Sequence, residues 1–182
     1  KTNIILLKES LEYSEILKNL YLNSKFYSID KTPNGQLKSL NKLIQRLDLD
    51  ENEAFYVSSA DYGFSINNDE FQKFIRKINP DIVIFSTKWK FFAHESKQNY
   101  GFVKYDPNNK IFEILEKPSH ELLEIVPDDL LIGTFWFKNQ EILKYMPFAE
   151  DNKESFIASS INKLIRKFKV YNFPVNYWLS LG

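Results

Sequence analysis

The chain has 182 residues, with 24 Lys+Arg against 24 Asp+Glu, so its formal charge is zero and no overall field draws it to nucleic acid or to an acidic membrane. It has no cysteine, which excludes a disulfide framework and a thiolate metal site and fits a reducing compartment. No apolar run reaches the roughly 20 residues of a membrane helix and no signal peptide is visible, so the expectation is one soluble, cytosolic domain, its packing dominated by 16 Phe and 10 Tyr.

The first half alternates strand and helix patterns. Ile4 to Leu7 form a short apolar run typical of a buried parallel strand. Ser10 caps a predicted helix carrying Leu11, Ile16, Leu17, Leu20 and Tyr21. Lys25 to Ile29 read as a second strand, Thr32-Pro-Asn-Gly35 as a turn, and Leu37, Leu40, Leu43, Ile44 and Leu47 as one stripe of a helix. Ala54 to Ser58 is the next buried strand. Asn68 or Asp69 caps a helix bearing Phe71, Phe74, Ile75 and Ile78, and Asp81 to Phe85 is a further strand. Such alternation predicts βαβ units, and the fold class is α/β: a three-layer, Rossmann-like sheet, mostly parallel.

The second half changes character. Gly101-Phe-Val-Lys-Tyr-Asp-Pro-Asn-Asn-Lys-Ile-Phe-Glu-Ile-Leu-Glu-Lys-Pro118 reads as a β-hairpin turning at Asp106-Pro-Asn-Asn109. A strand through Leu131 to Phe137 follows, then a helix from about Glu154 to Phe168 with Phe156, Ile157, Ile161, Leu164, Ile165 and Phe168 inward, then two short strands. No repeat or linker divides the chain, which is read as one domain, residues 1–182. Both ends read as cut from something longer.

Three places could carry chemistry. Asp61 follows an apolar strand, at the end where open α/β sheets bind ligands, and a lone carboxylate there suits Mg²⁺ together with substrate phosphates. An Asx-type turn helped by Gly63 explains it equally well. At Thr32-Pro-Asn-Gly-Gln36, Gly35 permits close approach to a flat ligand, Gln36 can read an edge by hydrogen bonds, and the following helix N-terminus favours anions. The alternative is a plain turn with a helix cap. At the hairpin rim, Gly101 clears space, Glu116 can accept from hydroxyls and Lys117 can hold a phosphate, with Pro118 ending the ladder. Charged residues also guard ordinary sheet edges. His94 and His120 lack metal-ligand companions, the Lys163, Arg166, Lys167, Lys169 stretch reads as a solvated helix face, and Trp89, Trp136 and Trp178 read as packing.

Taken in order, these pieces resemble the sugar-phosphate nucleotidyltransferases (nucleoside-diphosphate-sugar pyrophosphorylases), with a fainter likeness to the capsule and surface-polysaccharide subgroup. The resemblance rests on Pro33-Asn-Gly35 with Gln36, Ser58-Ser-Ala-Asp61, Tyr100-Gly101, Glu116-Lys117-Pro118, Gly133-Thr-Phe-Trp-Phe137 and Trp178-Leu-Ser-Leu-Gly182. It implies a nucleoside triphosphate and a sugar 1-phosphate as substrates and Mg²⁺ as cofactor. It also implies Asp61 and Lys117 as catalytic residues, Asp61 on the metal, and Gly35, Gln36, Gly101, Glu116, Lys117 and Gly133 on the substrates. No nucleic acid or membrane insertion is implied, and a homo-oligomer is compatible. Two departures stand out. The family's Gly-rich, Arg-containing phosphate loop would precede Lys1, so this stretch alone is expected to be inactive. Ser180 also stands where many members have a second metal-binding Asp. A nucleotide-sugar-dependent glycosyltransferase is the alternative enzyme, for which Asp48 and Asp50 have the Asp-x-Asp spacing but lie at a helix end. A non-catalytic sugar-phosphate-binding or assembly module is the third reading.

Overall fold

The computed structural model describes residues 2–8, 14–20, 22–31, 33–47, 50–59, 62–89, 96–147 and 154–180. They fall into two compact units: Lys1–Leu49 with Phe148–Ile157, and Asp50–Pro147 with Ala158–Gly182.

The first unit holds β1 (Thr2–Leu7), α1 (Ser14–Leu20), β2 (Ser24–Ile29) and α2 (Gln36–Ile44). β1 and β2 pair in parallel from Thr2↔Ser24 to Leu7↔Ile29, as a βαβ connection requires. Leu37 and Leu40 are the buried face of α2, and the Arg46 guanidinium donates to the Ser28 carbonyl. Ile16 of α1, one of the apolar residues the predicted helix carries, is exposed. Ser10, Leu11, Tyr21 and Thr32 lie outside the described residues.

The second unit contains β3 (Phe55–Ser58), β4 (Tyr62–Ser65), α3 (Asn68–Ile78), β5 (Ile82–Lys88), β6 (Gly101–Tyr105), β7 (Ile111–Glu116), β8 (Asp129–Phe137), most of α4 (Ile157–Leu164), β9 (Val170–Pro174) and β10 (Tyr177–Ser180). The main sheet runs β7-β6-β8-β5-β9, with β3 also on β8, while β10 and β4 form a separate antiparallel ribbon. β8 runs antiparallel to β3, β5 and β6. The α/β class holds, but the sheet is mixed rather than mostly parallel. Among the described strands, parallel pairing is confined to β1–β2 and β5–β9. Connection length is one reason: β6 and β7 are joined by a turn too short for anything but an antiparallel pair.

Aromatic rings build the core of this unit. Phe71, Phe85 and Phe173 meet at centroid distances of 5.3, 5.1 and 6.1 Å, in tilted and edge-to-face geometries that aromatic quadrupoles favour. Phe71, Phe74 and Ile75 of α3 pack here, as their spacing predicts. Trp89, Trp136 and Trp178 join the same cluster, all buried. The α3 cap lies one residue before the expected one. Asn67 accepts from the Asp69 and Glu70 amides at 3.1 and 3.3 Å, and Asn79 closes the helix in the left-handed region at φ 49°.

Two strands differ from expectation. β3 is not fully buried; Tyr56 and Ser58 are exposed and its residues alternate, as on an antiparallel strand with one solvated face. β4 was not anticipated, since its Gly63 and the neighbouring Asp61 read as a turn. α4 is also shorter than the predicted 154–168. Residues 154–156 lie outside the helix, and after Leu164 the chain turns, with the Lys167 and Phe168 amides donating to the Leu164 carbonyl at 2.8 and 3.0 Å. No described helix is long and apolar enough to cross a membrane.

Candidate active site

The hairpin forms as its sequence directs. Asp106 Oδ1 accepts from the Asn108 and Lys110 amides, both at 2.9 Å, and Asn109 takes a left-handed φ of 65° that closes the turn. Cross-strand pairing then brings Gly101 opposite Glu116, and Lys104 opposite Glu113, with which it makes a 2.7 Å ion pair. The register slips between Lys104 and Tyr105, leaving Phe112 as the extra residue of a bulge, 60% exposed. The outer edge of β7 is not left bare, because the Ile114 amide donates to Asn162 Oδ1 of α4 at 2.8 Å.

Three of the expected residues therefore meet at one rim. A Cβ at Gly101 would stand 3.3 Å from Glu116 Oε2 and 3.4 Å from Oε1, so the carboxylate lies across the space the glycine leaves open. Lys117 comes next, exposed, with φ 46° and its amide donating to the Tyr100 carbonyl at 3.0 Å. A lysine in the left-handed region is strained, by about 1–2 kcal/mol. Tyr100 is steadied in turn by an edge-to-face contact with Trp89, 5.3 Å between centroids.

Gly133 is set apart from that rim by its own role in β8. Opposite Ile84–Ser86 of β5, β8 carries extra residues between Leu131 and Phe135, and Gly133 bends the bulge with φ 70°. The face where its Cβ would point is already filled: Tyr62 Cε2 at 3.2 Å and Ser59 Oγ at 3.3 Å. Its carbonyl also accepts the Ser59 amide at 3.3 Å, and Ser58 and Thr134 share a hydroxyl hydrogen bond of 2.9 Å. The Tyr62 ring rests on Trp178 of β10, centroids 5.2 Å apart. Both residues flanking Ala60-Asp61 are thus held on Gly133. Sequence reasoning singled out none of Ser59, Tyr62 or Thr134, because their partners lie far along the chain.

Gly35 and Gln36 belong to the first unit. Gly35 has φ 99° and ψ 158°, a conformation essentially reserved to glycine. The atoms its Cβ would meet are the backbone N and O of Ser155. Close approach is therefore required by the protein's own chain, whatever ligand the turn also serves. Gln36 is exposed at the first position of α2, which has no side-chain cap.

Other candidates resolve as follows. Asp61, Asp48 and His94 lie outside the described residues; Asp50 accepts from the Asn52 amide at 2.9 Å, and His120 is exposed. No group of three or more His, Cys, Asp or Glu that could hold a metal occurs among the described residues. Lys163, Arg166, Lys167 and Lys169 are exposed, with Lys167 Nζ 3.4 Å above the Tyr145 ring. One unforeseen polar group is Asp129, whose carboxylate accepts from Lys88 Nζ at 2.8 Å and from the Tyr105 hydroxyl at 2.9 Å. The hydrogen bond to Asp129 raises the Lys88 ammonium above its usual value, and burial followed by the same carboxylate raises the Tyr105 phenol. A hollow of about 430 Å³ is lined by Tyr56, Phe64, Ser65, Ile66 and Asn68, none of them among the expected residues, and burial pushes the Tyr56 phenol up.

Comparison with known proteins supplies the context. A family model described as nucleotidyl transferase matches residues 3–182. No curated protein matches. Among solved structures, one assigned as a glucose-1-phosphate thymidylyltransferase from Bacillus anthracis, in complex with a sucrose, superposes with a TM-score of 0.70 at 15% identity, covering 98% of this chain and 69% of that one. An inositol-1-phosphate CTP transferase from T. maritima gives 0.68 at 14%, covering 97% and 67%. At such identities the likeness speaks for the fold.

Proposed function

The chain belongs to the nucleotidyl transferase family, and from that premise we propose that it transfers a nucleotidyl group from a nucleoside triphosphate to a sugar 1-phosphate, releasing pyrophosphate. The observation that carries the sugar-phosphate half is the rim where the Glu116 carboxylate lies over Gly101, one residue before Lys117. An acceptor for hydroxyls and a point charge for a phosphate are what such a substrate presents.

In this reading an oxygen of the sugar phosphate attacks the α-phosphorus in line. A new P–O bond forms, the bond from that phosphorus to the bridging oxygen breaks, and pyrophosphate leaves with the electron pair. The chemistry asks the protein for positioning and charge rather than a covalent nucleophile. Glu116 orients the sugar, Gly101 leaves it room, and Lys117 holds its phosphate. The exposed amide of Gln36 reads the base edge beside Gly35, and Gly133 serves by shaping the strand next to the site. Mg²⁺ would be held by Asp61 and substrate phosphates, a donor set that suits it because it keeps few protein ligands, and it neutralises triphosphate charge when bound. The cysteine-free composition supports work in the cytosol, and the capsule-subgroup likeness supports a nucleotide sugar destined for surface polysaccharide.

The test is substrate-resolved kinetics on the full-length protein. Losing one charged hydrogen bond costs about 1.5–3 kcal/mol. Glu116→Gln and Lys117→Ala should therefore raise the KM for sugar 1-phosphate about tenfold or more, with the triphosphate KM within about twofold. Equal changes in both constants, or none, would refute the assignment.

A further inference from the structure

We propose that the segment Glu154–Phe156, which precedes α4, is a strap that positions the base-reading turn, with Ser155 as the positioning residue. The inference rests on the reading above that Gly35 and Gln36 meet the base.

The turn is short and contains a glycine whose backbone no other residue adopts cheaply, so something must hold it. Ser155 does so from both flanks. Its amide donates to the Asn34 carbonyl at 3.2 Å, and its carbonyl accepts the Leu37 amide at 2.9 Å. Between those two bonds its backbone occupies the space beside Gly35, which only a residue without a Cβ leaves open. Within the turn the Gly35 amide donates to the Pro33 carbonyl at 2.9 Å. Ser155 is 1% exposed, so these bonds form out of water, where an unmade one is costly. The strap runs without a break into α4 at Ile157, itself buried.

The clamp also narrows what the turn can bind. The Leu37 amide is among the first donors of α2, the kind of group that makes a helix N-terminus attractive to phosphate. Here it is spent on Ser155. What faces outward at this place is the Gln36 side chain, with a neutral donor and acceptor suited to a base edge. The turn is thus a place for the base, with the anionic groups gripped elsewhere.

The test measures dissociation constants of the full-length protein for dTTP, UTP, CTP, GTP and ATP, and separately for glucose 1-phosphate. Ser155→Gly loosens the strap backbone and should weaken the preferred triphosphate about two- to fivefold, with glucose 1-phosphate unchanged. Ser155→Pro removes the amide that donates to Asn34 and should weaken it up to about tenfold. Because that variant could fail to fold, amide exchange in the unmodified protein provides a second readout. The Leu37 and Ser155 amides should exchange slowly and together, and more slowly still with triphosphate bound. Gln36→Ala separates the two layers of the argument. If it weakens triphosphate while Ser155→Gly has no effect, or if the two amides exchange independently, the strap is refuted and the base-reading turn stands. If neither substitution affects any triphosphate, both are refuted.

Discussion

Replacing Gly133 with alanine tests the bulge that Ser59 and Tyr62 pack on. The added methyl would have to sit at φ 70°, at a cost of about 1–2 kcal/mol for an L-residue. It would also stand 3.2–3.3 Å from the Tyr62 ring and the Ser59 hydroxyl. Crowding a packed position by one methyl adds about 1 kcal/mol even if the ring yields a little. The total is about 2–3 kcal/mol, which for a chain of this size lowers Tm by roughly 4–12 °C. Thermal unfolding followed by near-ultraviolet circular dichroism is the natural assay, because the Tyr62 ring packs tilted against Trp178 and their signal should change at low temperature too. Gly63→Ala is the internal control. A Cβ there meets nothing within 4 Å among the described residues, so stability should hold or rise by about 0.4–1 kcal/mol. A Gly133→Ala protein within about 0.5 kcal/mol of the parent, or a Gly63→Ala protein equally damaged, would refute the reasoning.

Lys117→Gly should separate stability from binding. The backbone at φ 46° relaxes, so the unfolding midpoint holds or rises by up to about 1 kcal/mol, while sugar-phosphate binding falls at least about tenfold; joint loss of both would contradict the strain argument. Alkaline stability should depend on the Lys88–Asp129–Tyr105 cluster. Both Lys88 and Tyr105 bind their protons more tightly folded than unfolded, so their contribution is complete below their ordinary values of 10.5 and 10.0. It is lost as pH climbs through the raised folded ones. Midpoints measured from pH 9 upward should therefore fall, and fall less steeply in Asp129→Asn. Asn162→Ala should cost about 1 kcal/mol and speed exchange of the Ile114 amide, since that edge donor loses its acceptor; unchanged exchange would show that the cap is idle.

The local devices of this chain were legible from its residues, and the long-range ones were not. The Asp106–Asn109 turn, the stripe Phe71-Phe74-Ile75 and the Gly101–Glu116–Lys117 rim follow from short-range turn chemistry and periodicity, and they stand where expected. β4 was missed because four residues including a glycine carry little pattern, and its stability comes from pairing with β10 more than a hundred residues later. α4 is shorter than its pattern: Phe156, Ile165 and Phe168 keep helical spacing, whereas the Ser155 backbone is hydrogen-bonded to the Gly35 turn and the helix starts only at Ile157. Gly35 is expected to permit close approach to a ligand and Gly133 is placed on the substrates by resemblance; each also makes room for the protein itself, Ser155 in one case, Tyr62 and Ser59 in the other. No spacing rule announces such contacts. They became visible only when the partner segments were brought alongside. The direction of β8 is a similar case, since a buried apolar strand looks the same in either sense.

Pyrophosphate release by the full-length protein, measured across pairs of nucleoside triphosphate and sugar 1-phosphate, tests the central claim most directly. The account predicts release that needs both substrates, favours one pair, and drops when Glu116 or Lys117 is replaced. A protein that binds sugar phosphate at this rim yet releases no pyrophosphate with any triphosphate would contradict it.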